Sequence, residues 1–174
     1  PIEIANGSQA LAYRYEVDSL FWDDLAFYKY WDDGQYKIAT YDFSENNIIN
    51  LTEPKEDLTI HGLEELDSST SVLIYSGRDN VVGSKRDIFG VLVDNETGAF
   101  KGDIIQLTND EYATEHVRNI EVTDEGGFNI LYYTAESMTS YLREYDKDLN
   151  LLSEGTGPIE IANGSQALAY RYEV

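Results

Sequence analysis

The chain contains no cysteine, so neither a disulfide framework nor thiolate chemistry is open to it, and its compartment cannot be read from redox usage. Cations are scarce as well. Twelve Lys and Arg face 33 Asp and Glu, a formal net charge of −21, and such a field repels phosphate backbones and anionic membrane surfaces. Nucleic acid is therefore not an expected partner. Membrane insertion is not expected either, since no apolar run is long enough to span a bilayer. Phosphate-binding loops, zinc-ligand spacings, Asp boxes and catalytic serine elbows are all missing, so no motif announces an enzyme. Sustained helical periodicity is missing too, and almost no helix is expected.

What the chain does have is repetition. Residues 1–17, PIEIANGSQALAYRYEV, return unchanged as residues 158–174, an offset of 157. A tandem array sampled for slightly more than one period would produce this, and so would an engineered overlap that copies one end of a cyclic fold onto the other. Both readings make this a repeat protein. With 42% hydrophobic and 13% aromatic residues, a packed core is within reach.

Inside the period of 157 lies a degenerate threefold one. An alternating run ends at Val17, and recurs ending near Leu66 and Val122. A strongly apolar run follows each time: Leu25–Tyr28, Val72–Tyr75 and Ile130–Tyr133, which predicts equivalent places for Tyr28, Tyr75 and Tyr133. A third run ends in Asp42, Asp94 and Asp146, evenly spaced by 52. A short fourth run covers Ile49–Thr52, Ile105–Thr108 and Asn150–Ser153. Runs of this length, rich in Tyr, Ile, Val and Phe and separated by turns such as Asp33-Gly34 and Gly126-Gly127, are antiparallel strands.

A second strand ending in Tyr, a third in Asp and a fourth in Leu-Thr, as in "IATYDFSENNIINLT" and "IFGVLVDNETGAFKGDIIQLT", resemble the blades of TolB-like and related WD-repeat-like β-propellers. The resemblance covers nearly the whole chain, with Leu152-Ser153 departing from Leu-Thr in the last unit. It implies an all-β propeller of four-stranded antiparallel blades, at approximately 10–52, 60–108 and 116–153, within a three-blade unit of residues 1–157. Residues 158–174 then supply the connector and innermost strand of a further blade. Three blades do not close a ring, whereas two such units make six. Self-association is accordingly expected, with Ala167, Leu168, Tyr170, Tyr172 and Val174 of the duplicated strand pairing with another copy. A chain cut from a longer array is the competing explanation.

Function must be sought in the loops that such a fold gathers into a funnel. They carry His61 and His116, expected at matching positions just before first strands; the basic group Arg78, Lys85 and Arg86; and Trp31, Asp32 and Asp33 in a turn. With Tyr13, Tyr30 and Tyr36, Trp31 would form a platform for sugar rings, the two aspartates accepting hydroxyl hydrogen bonds. Blade-filling aromatics and a salt-bridged rim are the plainer readings of the same residues. No cofactor is expected. Asp146-Lys147-Asp148-Leu149-Asn150 has the alternate carboxylates of a calcium loop without its later Gly and Glu. Sequons at Asn6, copied at Asn163, and at Asn50 and Asn95, together with the acidity, point to an extracellular, surface or periplasmic setting. The leading expectation is a non-enzymatic structural or binding repeat. A carbohydrate-binding or polysaccharide-acting propeller and an engineered scaffold are the alternatives.

Overall fold

The computed structural model describes residues 19–22, 24–79, 84–109, 114–135 and 139–156. These residues are all-β: twelve strands in three antiparallel sheets, with no helix among them. Sheet I consists of β1 (Ser19–Trp22), β2 (Leu25–Asp32), β3 (Gln35–Asp42) and β4 (Asn47–Leu51). Sheet II is β5 (Asp57–Asp67), β6 (Thr70–Arg78), β7 (Arg86–Asp94) and β8 (Phe100–Gln106). Sheet III is β9 (Glu115–Val122), β10 (Phe128–Thr134), β11 (Ser140–Tyr145) and β12 (Leu151–Thr156). Spatial order follows chain order in every sheet. The expected first strand Ala10–Val17 and its copy lie outside the described residues, and β1 at Ser19–Trp22 pairs with the start of β2.

Alternation with a period of two sends successive side chains to opposite faces, and here both faces of the central sheet are apolar. Leu73, Tyr75, Phe89 and Val91 of sheet II pack with Leu25, Phe27 and Ile38 of sheet I. Val72, Ile74, Ile88 and Leu107 face the other way and pack with Phe128, Ile130, Tyr132 and Tyr145 of sheet III. Each fully buried Ile, Leu or Phe contributes about 1.5–3 kcal/mol relative to exposure. Aromatic pairs directly opposite one another stiffen the middle of these sheets: Tyr75 on Phe89 at 5.3 Å, Phe128 on Tyr145 at 5.1 Å and Tyr132 on Tyr141 at 5.2 Å.

Register corrects the expected equivalence of the tyrosines. Just before the three third-run aspartates, Tyr41, Val93 and Tyr145 pair with Ala26, Ser71 and Phe128. Counting from these pairs, Tyr75 matches Tyr30 and Tyr132, while Tyr28 matches Leu73 and Ile130, and Tyr133 matches Trp31. The physical reason is the pleat: Tyr132 and Tyr133 stand on opposite faces of β10, and only Tyr132 joins the core facing sheet II.

The aspartates themselves are turn caps. Asp42 Oδ1 accepts from Ser44 N and Oγ at 2.8 and 2.7 Å, Asp94 Oδ1 from Thr97 N and Oγ1 at 2.9 Å each, and Asp146 Oδ1 from Asn150 N at 2.8 Å. These bonds hold all three carboxyls below the usual aspartate range. The fourth-run threonines have a parallel task. Thr52 and Thr108 Oγ1 accept the backbone N–H of Ile38 and Ile88 at 2.9 and 2.8 Å, tying the end of each fourth strand to the third.

Gly127 closes the β9–β10 turn against backbone, and a Cβ added there would lie 2.2 Å from the Tyr145 carbonyl oxygen. Gly127→Ala is therefore expected to lower stability by about 1–3 kcal/mol or more, read as a reduced urea midpoint, whereas Gly155→Ala, with open space around it, should leave the midpoint within error.

Candidate functional site

The anticipated loop residues fall into two groups, one partly buried along sheets II and III and one on the hairpin of sheet I. In sheet II, β5 carries a bulge between Ile60 and Gly62, and His61 is the extra residue. A bulge re-aims the side chain that sits in it. His61 Nε2 lies 2.8 Å from Ser76 Oγ. Arg86 donates through Nη1 to Thr59 Oγ1 at 3.0 Å and Ser76 Oγ at 3.2 Å, and through Nη2 to Asp57. Burial, helped by the charge of Arg86 and by His116, pushes the His61 imidazole down to about 4. It is a neutral ring at pH 7.

His116 is not its counterpart. Sheet III has its own bulge between Leu131 and Tyr132 partners, and the residue skipped there is Arg118. His116 stacks on Tyr133 at 4.9 Å, and the Arg118 guanidinium lies 4.2 Å from the same ring centroid. Both histidines lie inside strands rather than before them.

Arg78 and Arg86 are cross-strand partners, and each meets an acid: Arg78 Nε stands 3.3 Å from Glu56 Oε2, and Arg86 pairs with Asp57. Lys85 precedes β7 directly. A nearby cation that the sequence did not single out is Lys55. Its side chain is buried along the Phe89 ring, 4.3 Å from the centroid, and its ammonium donates to Asp79 at 2.6 Å.

A second unanticipated group is Glu115, 1% exposed at the start of β9. It accepts from Thr108 Oγ1, the hydroxyl that also accepts Ile88 N–H. Thr108 thereby links a third-strand amide, a fourth-strand end and the first strand of the following sheet. Tyr145 Oη and Arg143 Nη1 reinforce the same junction, both donating to the Leu107 carbonyl at 2.6 Å.

On sheet I, Trp31 and Asp32 are the last residues of β2 rather than part of a turn, because Asp33 and Gly34, at φ of 45° and 84°, make a two-residue hairpin. Trp31 is 51% exposed and meets Tyr36 edge-on at 4.5 Å, with the Lys29 ammonium 4.2 Å from the Tyr36 ring centroid. Tyr30 points to the opposite face. The platform therefore reduces to Trp31 and Tyr36; Tyr13 lies outside the described residues.

The calcium-like loop is accounted for by Asp146, which accepts from Asp148 N, Asn150 N and Asn150 Nδ2. It borders a shallow cleft of about 240 Å³ with Glu125, Glu144 and Lys147. Among the described residues no three His, Asp or Glu side chains are grouped to hold a metal ion. Two sequon asparagines are committed internally: Asn50 Nδ2 donates to Gly98 O at 2.7 Å and its Oδ1 accepts Phe100 N–H, while Asn95 Nδ2 donates to Asp67 O at 3.0 Å. Asn6 and Asn163 lie outside the described residues. Comparison with protein-family models and with curated proteins finds no match for the chain.

His61 binds no proton in the folded state between its lowered value near 4 and the ordinary 6.5, while the unfolded chain does. Stability therefore rises with pH across that window and falls on acidification, by up to about 3 kcal/mol for this group. In His61→Gln the slope of melting temperature between pH 6.5 and 4.5 should be markedly shallower than in the parent.

Thr108→Val leaves the Ile88 amide and the buried Glu115 carboxylate each short of a hydrogen bond. A loss of about 2–4 kcal/mol is expected from two such groups. Chemical denaturation measures it, and a loss below about 0.5 kcal/mol would contradict the linking role.

Proposed function

We propose that the three sheets are successive blades of a β-propeller similar to the TolB-like group, and that the protein is a non-enzymatic structural or binding repeat that completes its ring with further copies of itself. One observation carries the reading: consecutive sheets pack in the same sense. The first strand of sheet II lies against β1, β2 and β3 of sheet I, and the first strand of sheet III against β5, β6 and β7 of sheet II. Strand order running with chain order in all three sheets supports it as well. Three units of this kind leave a ring open, and the chain resumes its own opening sequence at Pro158.

Ring completion makes residues 158–174 the first strand of a blade otherwise supplied by residues 1–17 of another copy. Ala167, Leu168, Tyr170, Tyr172 and Val174 are the apolar positions of that strand. The 174-residue chain and a version ending at Gly157 should then differ in mass distribution by light scattering. Indistinguishable distributions would remove the duplicated segment from the assembly.

A carbohydrate-binding role is the second reading, and the half-exposed Trp31 beside Tyr36 favours it. In this reading the setting is extracellular. Retention of soluble glycans by the parent chain and its loss in Trp31→Ala would support a lectin-like site; no retention by either leaves the scaffold role alone.

A further inference from the structure

Lys147 and Asp148, in the turn between β11 and β12, line two clefts, the acidic one already described and a second of about 190 Å³. The second cleft lies where this turn of sheet III meets sheet II. Its apolar lining is Leu66 of β5 and Leu92 of β7. Four charged side chains border it, Asp67 and Lys101 from sheet II and Lys147 and Asp148 from sheet III, together with Thr70 at the start of β6.

The sheet II pair is held in place. Lys101 Nζ donates to Thr70 Oγ1 at 2.9 Å and stands 3.8 Å from Asp94 Oδ2. Hydrogen bonds from Ser69, and after them the charge of Lys101, keep the Asp67 carboxyl below the usual aspartate range. The sheet III pair is different. Every other Lys and Arg among the described residues takes part in a hydrogen bond, an ion pair or a ring contact. The Lys147 ammonium takes part in none, in a chain that offers 33 acids, and the Asp148 carboxylate accepts no hydrogen bond from a described residue. Three N–H donors and a carboxylate are therefore open at the border of one cleft.

The backbone that carries these open groups is fixed on both sides. Asp146 Oδ1 accepts Asp148 N at 2.9 Å and Asn150 N at 2.8 Å, and Asp146 N donates to Asn150 O at 3.0 Å. Leu149 follows at a φ of 67°, with its side chain buried in the core between sheets II and III. The corresponding turns of sheets I and II give their positive-φ position to Asn46 and Gly98, residues that accept it at little cost. A Leu there is strained and persists because the core locks it. Its anchoring seats Lys147 and Asp148, the two residues before it, at the cleft.

We infer that this cleft binds a small aliphatic zwitterion, an α-amino acid of the leucine type. Its carboxylate would meet Lys147 and Lys101, its ammonium Asp148 and Asp67, and its side chain Leu66 and Leu92. Charge selects this class. Two cations and two carboxylates cancel within the cleft, so a simple anion would meet the repulsion of the net charge of −21, and a simple cation would leave both lysines unmatched. Volume limits the size, since about 190 Å³ is below the range of drug-sized sites. Every lining residue belongs to sheets II and III, so the site requires neither a closed ring nor a further copy of the chain.

The test titrates the full chain with L-leucine, N-acetyl-L-leucine and L-leucinamide, the last two each lacking one of the charges, and follows backbone amide shifts by NMR. Leucine should saturate at millimolar concentration and shift the amides of Leu66, Thr70 and Leu92, with each derivative bound roughly three- to ten-fold more weakly. Lys147→Gln should weaken leucine and N-acetyl-leucine by a similar factor without weakening leucinamide. Asp148→Asn should weaken leucine and leucinamide without weakening N-acetyl-leucine. Both substituted residues are exposed, and circular dichroism verifies that the sheets are intact in each variant. Absence of a saturable shift in the parent chain would overturn the inference. Equal affinity for the three compounds would do the same, as would leucine binding that neither substitution weakens.

Discussion

Everything in this structure depends on the burial of sheet II on both of its faces. A strand with period-two alternation normally keeps one apolar face and one wet face, but β6 runs from Ser71 to Gly77 without an exposed residue. Its odd-numbered side chains belong to the core shared with sheet I and its even-numbered ones to the core shared with sheet III. A one-residue slip of β6 against its neighbours would exchange the two sets and spoil both cores at once. That constraint fixes the register of the central sheet and, through it, the orientation of the sheets on either side.

Polar groups take part in the packing only where the backbone needs them. Thr52 and Thr108 accept third-strand amides, Asn50 bonds backbone of the following sheet, and Leu107 offers its carbonyl to Tyr145 and Arg143. The buried charges obey the same economy. Arg86 is held by Asp57, Thr59 and Ser76, and Lys55 by Asp79 and the Phe89 ring. Charges removed from water persist only when paired and hydrogen-bonded. The Thr108–Glu115 contact joins sheet II to sheet III, whereas Arg86 and the neutral His61 are held by side chains of β5 and β6 within sheet II.

The acidity is distributed on a different principle. Asp42, Asp67, Asp94 and Asp146 accept hydrogen bonds from the turn residues that follow them, which lowers their proton affinity and keeps their charge at the surface. Four of the 33 acidic residues are thus built into the turns that define the sheets, and their charge accompanies the fold whatever the partner. A surface of this kind discourages nonspecific association, and leaves apolar patches such as Leu151 and Leu152 as the places where contact is favoured.

The sequence by itself determined the strands, their antiparallel sense and the places where they turn, because alternation, Asp-capped turns and the Asp33-Gly34 hairpin are local signals written within a few residues. It located the second and third strand of every sheet and the Thr that ends two of the fourth. It misjudged which tyrosines correspond, since Tyr132 and Tyr133 differ only in the face they occupy, and it set His61 beside His116 although the bulges align His61 with Arg118. It passed over Glu115, whose partner Thr108 becomes a neighbour only when sheet III lies on sheet II, and Lys55, which meets Asp79 and Phe89 only once the strands of sheet II pair. Tertiary structure alone decided those matters. Which face meets which neighbour is set by the register of twelve strands acting together, and no short stretch of sequence contains that information.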